Sequence, residues 1–341
     1  LLFSFTAYLA PQIGVAMPRD IKVDLGDNVL QRGCVLKDDV VMGRLYGKAD
    51  GPVIVVMGGI SASRFIADAE QSTTRNNGRG WWSTLVRKDG PIDLNKFQVL
   101  GMDFAPAVES DNRPDSITTH DQAARLKALL DAQGIIKVAA IIGSSYGGMT
   151  ALAFAHDYPE AVGQLCVIGA AHKPYPIGVA WRGIQRRTVE LGIAAGRPNE
   201  GLKLARELAM TSYRSPEEFS KRFTADPIAG EPICFDVGNY LEACGRKYHE
   251  VMPAERFMSL SQSIDLHKVD PAKIKTPTLL IATETDLLAP PSEIKALCDA
   301  LAGPADMVTI QSIYGHDSFL KENATLAPLL TNFVEGKRRA A

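Results

Sequence analysis

The chain has 341 residues, 46% of them apolar and 22% charged, with a formal net charge of −2. This is the balance of a folded globular protein with a sizeable core, and it excludes the strong basic field that nucleic acid or an anionic membrane surface would demand. The five cysteines (Cys34, Cys166, Cys234, Cys244, Cys298) are odd in number and lack C-x-x-C spacing. They read as free thiols in a reducing cytoplasm, with neither a disulfide framework nor a metal site.

The opening LLFSFTAYLAPQIGVA is apolar but has no basic start and is too short to span a membrane. Residues 1–16 are read as an extension outside the fold, with a cleaved leader as the alternative. Residues 20–48 alternate polar and apolar between turn signals, which predicts antiparallel strands at a sheet edge. Val53–Met57 is a continuous apolar run, the mark of a strand covered on both faces. It runs into Gly58-Gly59-Ile60-Ser61, which suits either a loop whose amides approach a ligand or an ordinary turn.

Residues 66–95 read as loop, punctuated by Asn76-Asn77-Gly78 and Asp89-Gly90-Pro91, with Trp81 and Trp82 taken as packing groups. Phe97–Asp103 predicts the next strand, followed by a polar loop to Ser116. Ala123, Leu126, Leu129 and Leu130 recur at helical spacing between Thr118 and Gln133, with Gly134 closing the helix.

Val138–Ile142 is a further buried strand, and it leads into Gly143-Ser144-Ser145-Tyr146-Gly147. Gly-x-Ser-x-Gly is weak alone, because both residue types are common. Here an apolar strand precedes it and an Ala/Leu/Phe-rich helix follows, ending near Tyr158-Pro159, which is the setting a nucleophile elbow requires. Gln164–Gly169 is another strand.

Alternation then stops for about 90 residues of helical pattern. It resumes with a strand at 278–282, a helix at 292–301, a strand at 307–310 and a helix at 323–334. The reading is an α/β chain with a mostly parallel, doubly wound sheet. Its core comprises residues 17–176 and 273–341, and residues 177–272 form a helical cap between them.

A serine hydroxyl is a poor nucleophile until a base takes its proton, and the base needs an orienting acid. In the α/β-hydrolase arrangement these follow in the order Ser, Asp, His at the ends of later strands. Asp286 follows the strand at 278–282, with Glu284 as a competitor nearer the strand. Of the six histidines only His316 follows a late strand; His120, His156, His172, His249 and His267 read as structural or surface groups. Ser145, Asp286 and His316 are therefore the expected triad. The oxyanion hole is expected from the backbone N–H groups of Tyr146, after the nucleophile, and Ile60, in the loop after the first buried strand.

From about residue 50 onward the chain resembles the homoserine O-acyltransferases of the α/β-hydrolase superfamily. The resemblance is carried by Ser145-Tyr146-Gly147-Gly148-Met149, Gly80-Trp81-Trp82, Gly90-Pro91-Ile92-Asp93, Ser212-Tyr213-Arg214-Ser215 with Phe219 and Arg222-Phe223, and Gly315-His316-Asp317-Ser318-Phe319-Leu320. It implies an α/β-hydrolase fold and transfer of an acyl group from acyl-CoA to L-homoserine in methionine biosynthesis. It implies no permanently bound cofactor, and a homodimer.

It further implies that Asp317 binds the substrate's amino group and that Arg186, with Arg187 as the alternative, binds its carboxylate. Two features depart from the family: Gly58-Gly59-Ile60-Ser61-Ala62 stands where His-Ala-Leu-x-Gly is common, and a short loop replaces a long insert after Asp103. These place the chain in a shorter branch, for which succinyl-CoA is the favoured donor and acetyl-CoA the alternative. Leu288, where an arginine would favour succinyl, speaks for acetyl; Arg64 or Arg187 is the candidate partner for a succinyl carboxylate. A serine acceptor and a small-ester hydrolase on the same triad are the remaining alternatives.

Overall fold

The computed structural model describes residues 16–68, 79–108, 116–229 and 233–337. Residues 1–15 of the extension expected over residues 1–16, the Asn76-Asn77-Gly78 turn and much of the short loop after Asp103 lie outside the described residues, whereas Ala16 already belongs to the first strand.

The described residues open with an antiparallel pair, β1 (Ala16–Val29) and β2 (Val35–Gly47), in which Val23 faces Val41. β3 (Val53–Met57) is the first buried strand. Within the segment read as loop lie two dipeptide strands, β4 (Val86–Arg87) and β5 (Ile92–Asp93), paired parallel in a sheet of their own. They are too short to leave a period-2 signature. β6 (Gln98–Met102), α1 (Thr119–Ala132), β7 (Ala140–Ser144), α2 (Tyr146–Asp157) and β8 (Leu165–Ile168) follow in alternation.

Helices α3 (Pro176–Ala194), α4 (Pro198–Tyr213), α5 (Pro216–Arg222), α6 (Asp236–Arg246) and α7 (Ala254–Leu266) then intervene before β9 (Thr278–Thr283). The chain closes with α8 (Pro291–Ala300), β10 (Ala305–Ile310), α9 (Ser318–Lys321) and α10 (Asn323–Val334). Proline is the first residue of α3, α4, α5 and α8, where its missing N–H costs nothing and its fixed φ suits the helix. α1 begins with a capping box, the Thr118 side chain accepting from Asp121 N–H and the Asp121 carboxylate from Thr118 N–H.

The main sheet has the order β1-β2-β6-β3-β7-β8-β9-β10. β2 runs antiparallel to β1 and β6, and every pair from β6 to β10 is parallel. Side chains alternate cleanly through it. Val55, Met57, Leu100, Ile141 and Val167 face the core that contains α1, α2 and part of the inserted helices. Ile54, Val56, Val99, Ile142 and Ile168 face a second core with Trp82, Leu326, Leu330 and Phe333. Burial on both faces is why these strands read as unbroken apolar runs. The sheet ends therefore carry the chain's free loops, including the elbow after β7 and the acidic loop after β9.

One buried ion pair fastens α1 to the sheet edge. Arg125 Nε lies 3.1 Å from both Asp39 carboxylate oxygens and its Nη2 3.0 Å from Oδ1, each side chain being 2% exposed. The same guanidinium donates to the carbonyls of Val40 and Asp103. Removing one partner leaves an uncompensated buried charge. Asp39→Ala is expected to lower the unfolding free energy by about 3 kcal/mol or more in urea titration. A loss under about 1 kcal/mol, the range of a surface pair, would contradict the anchoring role.

Candidate active site

Ser145 stands between β7 and α2 with φ 54° and ψ −121°, a left-handed conformation rare for a residue with a side chain. Its flanking glycines are required by contact. A Cβ on Gly143 would lie 2.3 Å from Gly147 O, and one on Gly147 would lie 2.4 Å from Met57 O. The pattern Gly-x-Ser-x-Gly is thus the imprint of a turn pressed against the end of β3.

His316 Nε2 is 2.7 Å from Ser145 Oγ, and His316 Nδ1 is 2.8 Å from Asp286 Oδ2. The other Asp286 oxygen accepts from the N–H groups of Leu288 (2.8 Å) and Ala289 (3.0 Å). Those bonds fix the carboxylate's orientation. Glu284, the competing acid, is exposed. The three residues expected as a triad are thus in hydrogen-bonded sequence.

The loop bearing His316 is fastened from two sides. Gly315 N–H donates to Thr285 Oγ1, and the Ser215 hydroxyl, which caps α5, donates to the Ile313 carbonyl. Gly315 has φ 56°, and a Cβ there would meet Tyr213 O at 2.7 Å. The glycine before the histidine is what lets α4 end directly over the triad.

The remaining histidines are elsewhere. His120 and His156 both bond Asp157 through Nδ1 at 2.7 Å. His267 bridges Thr119 and the Ala171 carbonyl, and burial pushes it down to about 3, so it stays neutral.

A cavity opens over Ser145, lined from below by the loops after β3, β7, β8 and β9 and from above by α3 and α4. Ile60 and Ser145 both line it, and a Cβ on Gly59 would sit 4.0 Å from Ser145 Oγ. The Ile60 loop is held by Arg256 of α7, whose Nη1 reaches the Ile60 carbonyl at 3.5 Å while Nε and Nη2 bond the carbonyls of Pro106 and Phe104. Tyr146 begins α2, where an amide has no acceptor within the helix. Its side chain is buried, with its hydroxyl 2.7 Å from Ser263 Oγ. The tryptophan pair divides: Trp82 is core and bonds the Phe319 carbonyl, whereas Trp81 lines the cavity.

Asp317 also lines the cavity, with Arg214 Nε 3.2 Å from its Oδ2. Burial raises its carboxyl above the usual range despite the opposing charges of Arg214, His316 and Arg206.

Arg186, expected to bind the acceptor's carboxylate, does not line the cavity. Its Nη1 lies 2.7 Å from Asp265 Oδ2 and 3.0 Å from Ser261 Oγ. The arginines that line the cavity are Arg182, one turn earlier, and Arg206 of α4. Arg187 is exposed, and Arg64 is held by Asp103 and Asp20; neither lines the cavity, whereas Leu288 does. Arg206 lies over the rings of Tyr213 (5.4 Å) and Tyr248 (4.7 Å), and its buried Nε has no hydrogen-bond partner among the described residues.

Burial disfavours the protonated form of His316, but the adjoining Asp286, with a further contribution from Asp317, raises the ring above its ordinary value. A raised folded value stabilises the protein fully below the unfolded value, and this contribution is lost as pH rises through the folded one. By NMR titration His316 is expected above about 6.5, falling below it in Asp286→Asn. A wild-type value under the ordinary one, or no fall in the variant, would contradict this balance.

Residues 52–322 match the α/β hydrolase fold family. The chain is similar to homoserine O-succinyltransferase of Xanthomonas campestris pv. campestris, at 38% identity over 288 residues covering 84% of this chain and 76% of that one. It is also similar to serine O-succinyltransferase of Litchfieldella anticariensis, at 28% identity covering 86% and 90%. Its fold matches the crystal structure of homoserine O-acetyltransferase from Bacillus anthracis with a TM-score of 0.85 at 18% identity, covering 96% and 99%. Among the described residues no helix is long and apolar enough to cross a membrane. An elbow serine in hydrogen-bonded sequence with His316 and Asp286, and a family match spanning most of the sequence, lead to one conclusion: the chain belongs to the homoserine O-acyltransferase family of α/β hydrolases.

Proposed function

We propose that the protein moves an acyl group, succinyl in preference to acetyl, from acyl-CoA to the hydroxyl of L-homoserine through an acyl-Ser145 intermediate. The observation that carries the reading is Asp317, a carboxylate that adjoins the triad histidine and lines the same cavity as Ser145. Hydrolysis of a simple ester has no need of a buried anion there; an amino-acid acceptor does, because its ammonium wants a fixed counter-charge.

In the first half-reaction His316 Nε2 takes the Ser145 proton as Oγ attacks the thioester carbonyl. The oxyanion is received by the N–H groups of Tyr146 and Ile60. The tetrahedral adduct collapses, the C–S bond breaks, and the proton on His316 goes to the departing thiolate. In the second, homoserine binds with its ammonium on Asp317 and its carboxylate on Arg206, and His316 removes the hydroxyl proton. The alkoxide attacks the acyl-serine carbonyl, the ester to Ser145 breaks, and Ser145 recovers its proton. Asp286 holds the imidazole in register throughout. Residues 177–272 serve as a cap that keeps water from the acyl-enzyme.

Ser145→Ala is expected to cut homoserine succinylation by about 10⁴-fold or more. Asp317→Asn should raise the KM for homoserine by roughly 10-fold or more while leaving CoA release from the first half-reaction intact, since that step precedes acceptor binding. Serine offered in competition reports the acceptor. Acyl-CoA hydrolysis at a rate indifferent to homoserine would replace this reading with a serine hydrolase.

A further inference from the structure

We propose that Arg182 selects the acyl donor, binding a free carboxylate at the far end of the acyl chain so that a dicarboxylic acyl thioester is used in preference to a neutral one. The inference rests on the acyltransferase reading above and names the group that gives it donor specificity.

The charges around the cavity do not balance for a neutral acyl group. An amino-acid acceptor brings one cation and one anion, and Asp317 and Arg206 answer those. They are near enough to each other that the Arg206 charge acts on the Asp317 carboxyl. Arg182 is then left over. It is 9% exposed and lines the cavity, so its charge is largely removed from water. Its counter-ion is shared: Arg182 Nε takes Asp265 Oδ1 at 2.6 Å, while Arg186 Nη1 takes Oδ2 at 2.7 Å. Two guanidiniums on one carboxylate leave an excess positive charge beside the cavity, a costly arrangement unless a further anion arrives.

The geometry shows which edge of Arg182 is available. Asp265 holds the Nε edge, so the fork of Nη1 and Nη2 is oriented before any ligand binds, as bidentate recognition of a carboxylate requires. The fork emerges past Gly178, one turn earlier in α3. A Cβ on Gly178 would lie 3.1 Å from Nη1 and 3.2 Å from Nη2, and Gly178 itself lines the cavity. Any larger residue there would crowd the fork. Arg182 lines the same cavity as Ser145 and His316, and its charge acts on the His316 ring. A four-carbon diacyl chain on Ser145 extends its carboxylate about 5 Å beyond the reacting carbonyl. That carboxylate would offset the excess positive charge that Arg182 and Arg186 leave on the single carboxylate of Asp265; an acetyl group would not.

The test is kcat/KM for succinyl-CoA and for acetyl-CoA, at saturating homoserine, in wild type, Arg182→Gln and Gly178→Ala. Arg182→Gln is expected to lower the succinyl value by about 10²-fold, the size of a lost charge-assisted pair, while the acetyl value and the homoserine KM move by less than about threefold. Gly178→Ala keeps the guanidinium and improves helix propensity, and is expected to lower the succinyl-to-acetyl ratio in the same direction but less. It carries the test should Arg182→Gln fail to fold. A ratio unchanged in an active variant, or equal losses with both donors, overturns the role of Arg182 and leaves the acyltransferase reading standing. A wild-type protein that transfers neither group to homoserine overturns both.

Discussion

The site depends on one packing constraint, the pressing of the β7–α2 turn against the end of β3. Gly143 and Gly147 touch backbone on both sides of Ser145, so the turn cannot relax, and Ser145 is held at a positive φ it would not adopt alone. That conformation puts Oγ at the open end of the sheet and the first amides of α2 behind it. The same contact brings the Gly58–Ser61 loop beside the serine, where a Cβ on Gly59 would stand in van der Waals contact with Ser145, 4.0 Å from Oγ. The nucleophile and both expected oxyanion donors are therefore set by a single close approach of two buried strands.

The second layer is electrostatic and comes mainly from the inserted helices. Arg182, Arg206, Arg214 and Arg256 all come from that block, and each is held by groups that leave it a defined orientation. Arg256 secures the Ile60 loop from above, and Arg214 is shared between Asp317 and Glu218. Arg182 and Arg206 retain capacity for a ligand. The loops at the sheet's end carry Ser145, Asp286, His316 and Asp317, and the helices above them add the arginines Arg182 and Arg206 to the same cavity.

Much of this was legible in the sequence because it is local or ordered along the chain. Continuous apolar runs give β3, β7 and β9, since strands covered on both faces need no polar alternation. Strand order isolates Asp286 and His316, because the triad partners must follow the last parallel strands. The sequence does not show which arginine of α3 lines the cavity. Arg182 and Arg186 lie four residues apart on one helical face, and which one lies over the cavity depends on how α3 sits on α7 and the core. The place of Arg206 in the cavity is illegible in the sequence for the same reason, as its environment of Tyr213 and Tyr248 is assembled only in three dimensions. The two strands of the small sheet are too short to signal, and nothing local in the sequence separates the core Trp82 from the cavity-lining Trp81.

The central claim is that Ser145 carries the acyl group between donor and acceptor. Intact-protein mass spectrometry after mixing with succinyl-CoA alone tests it most directly. The account predicts a gain of one succinyl group on the wild-type chain, absent in Ser145→Ala and discharged when homoserine is added. An unmodified wild-type chain that nonetheless makes O-succinylhomoserine would contradict it, because transfer would then be direct and the strained elbow would have another purpose.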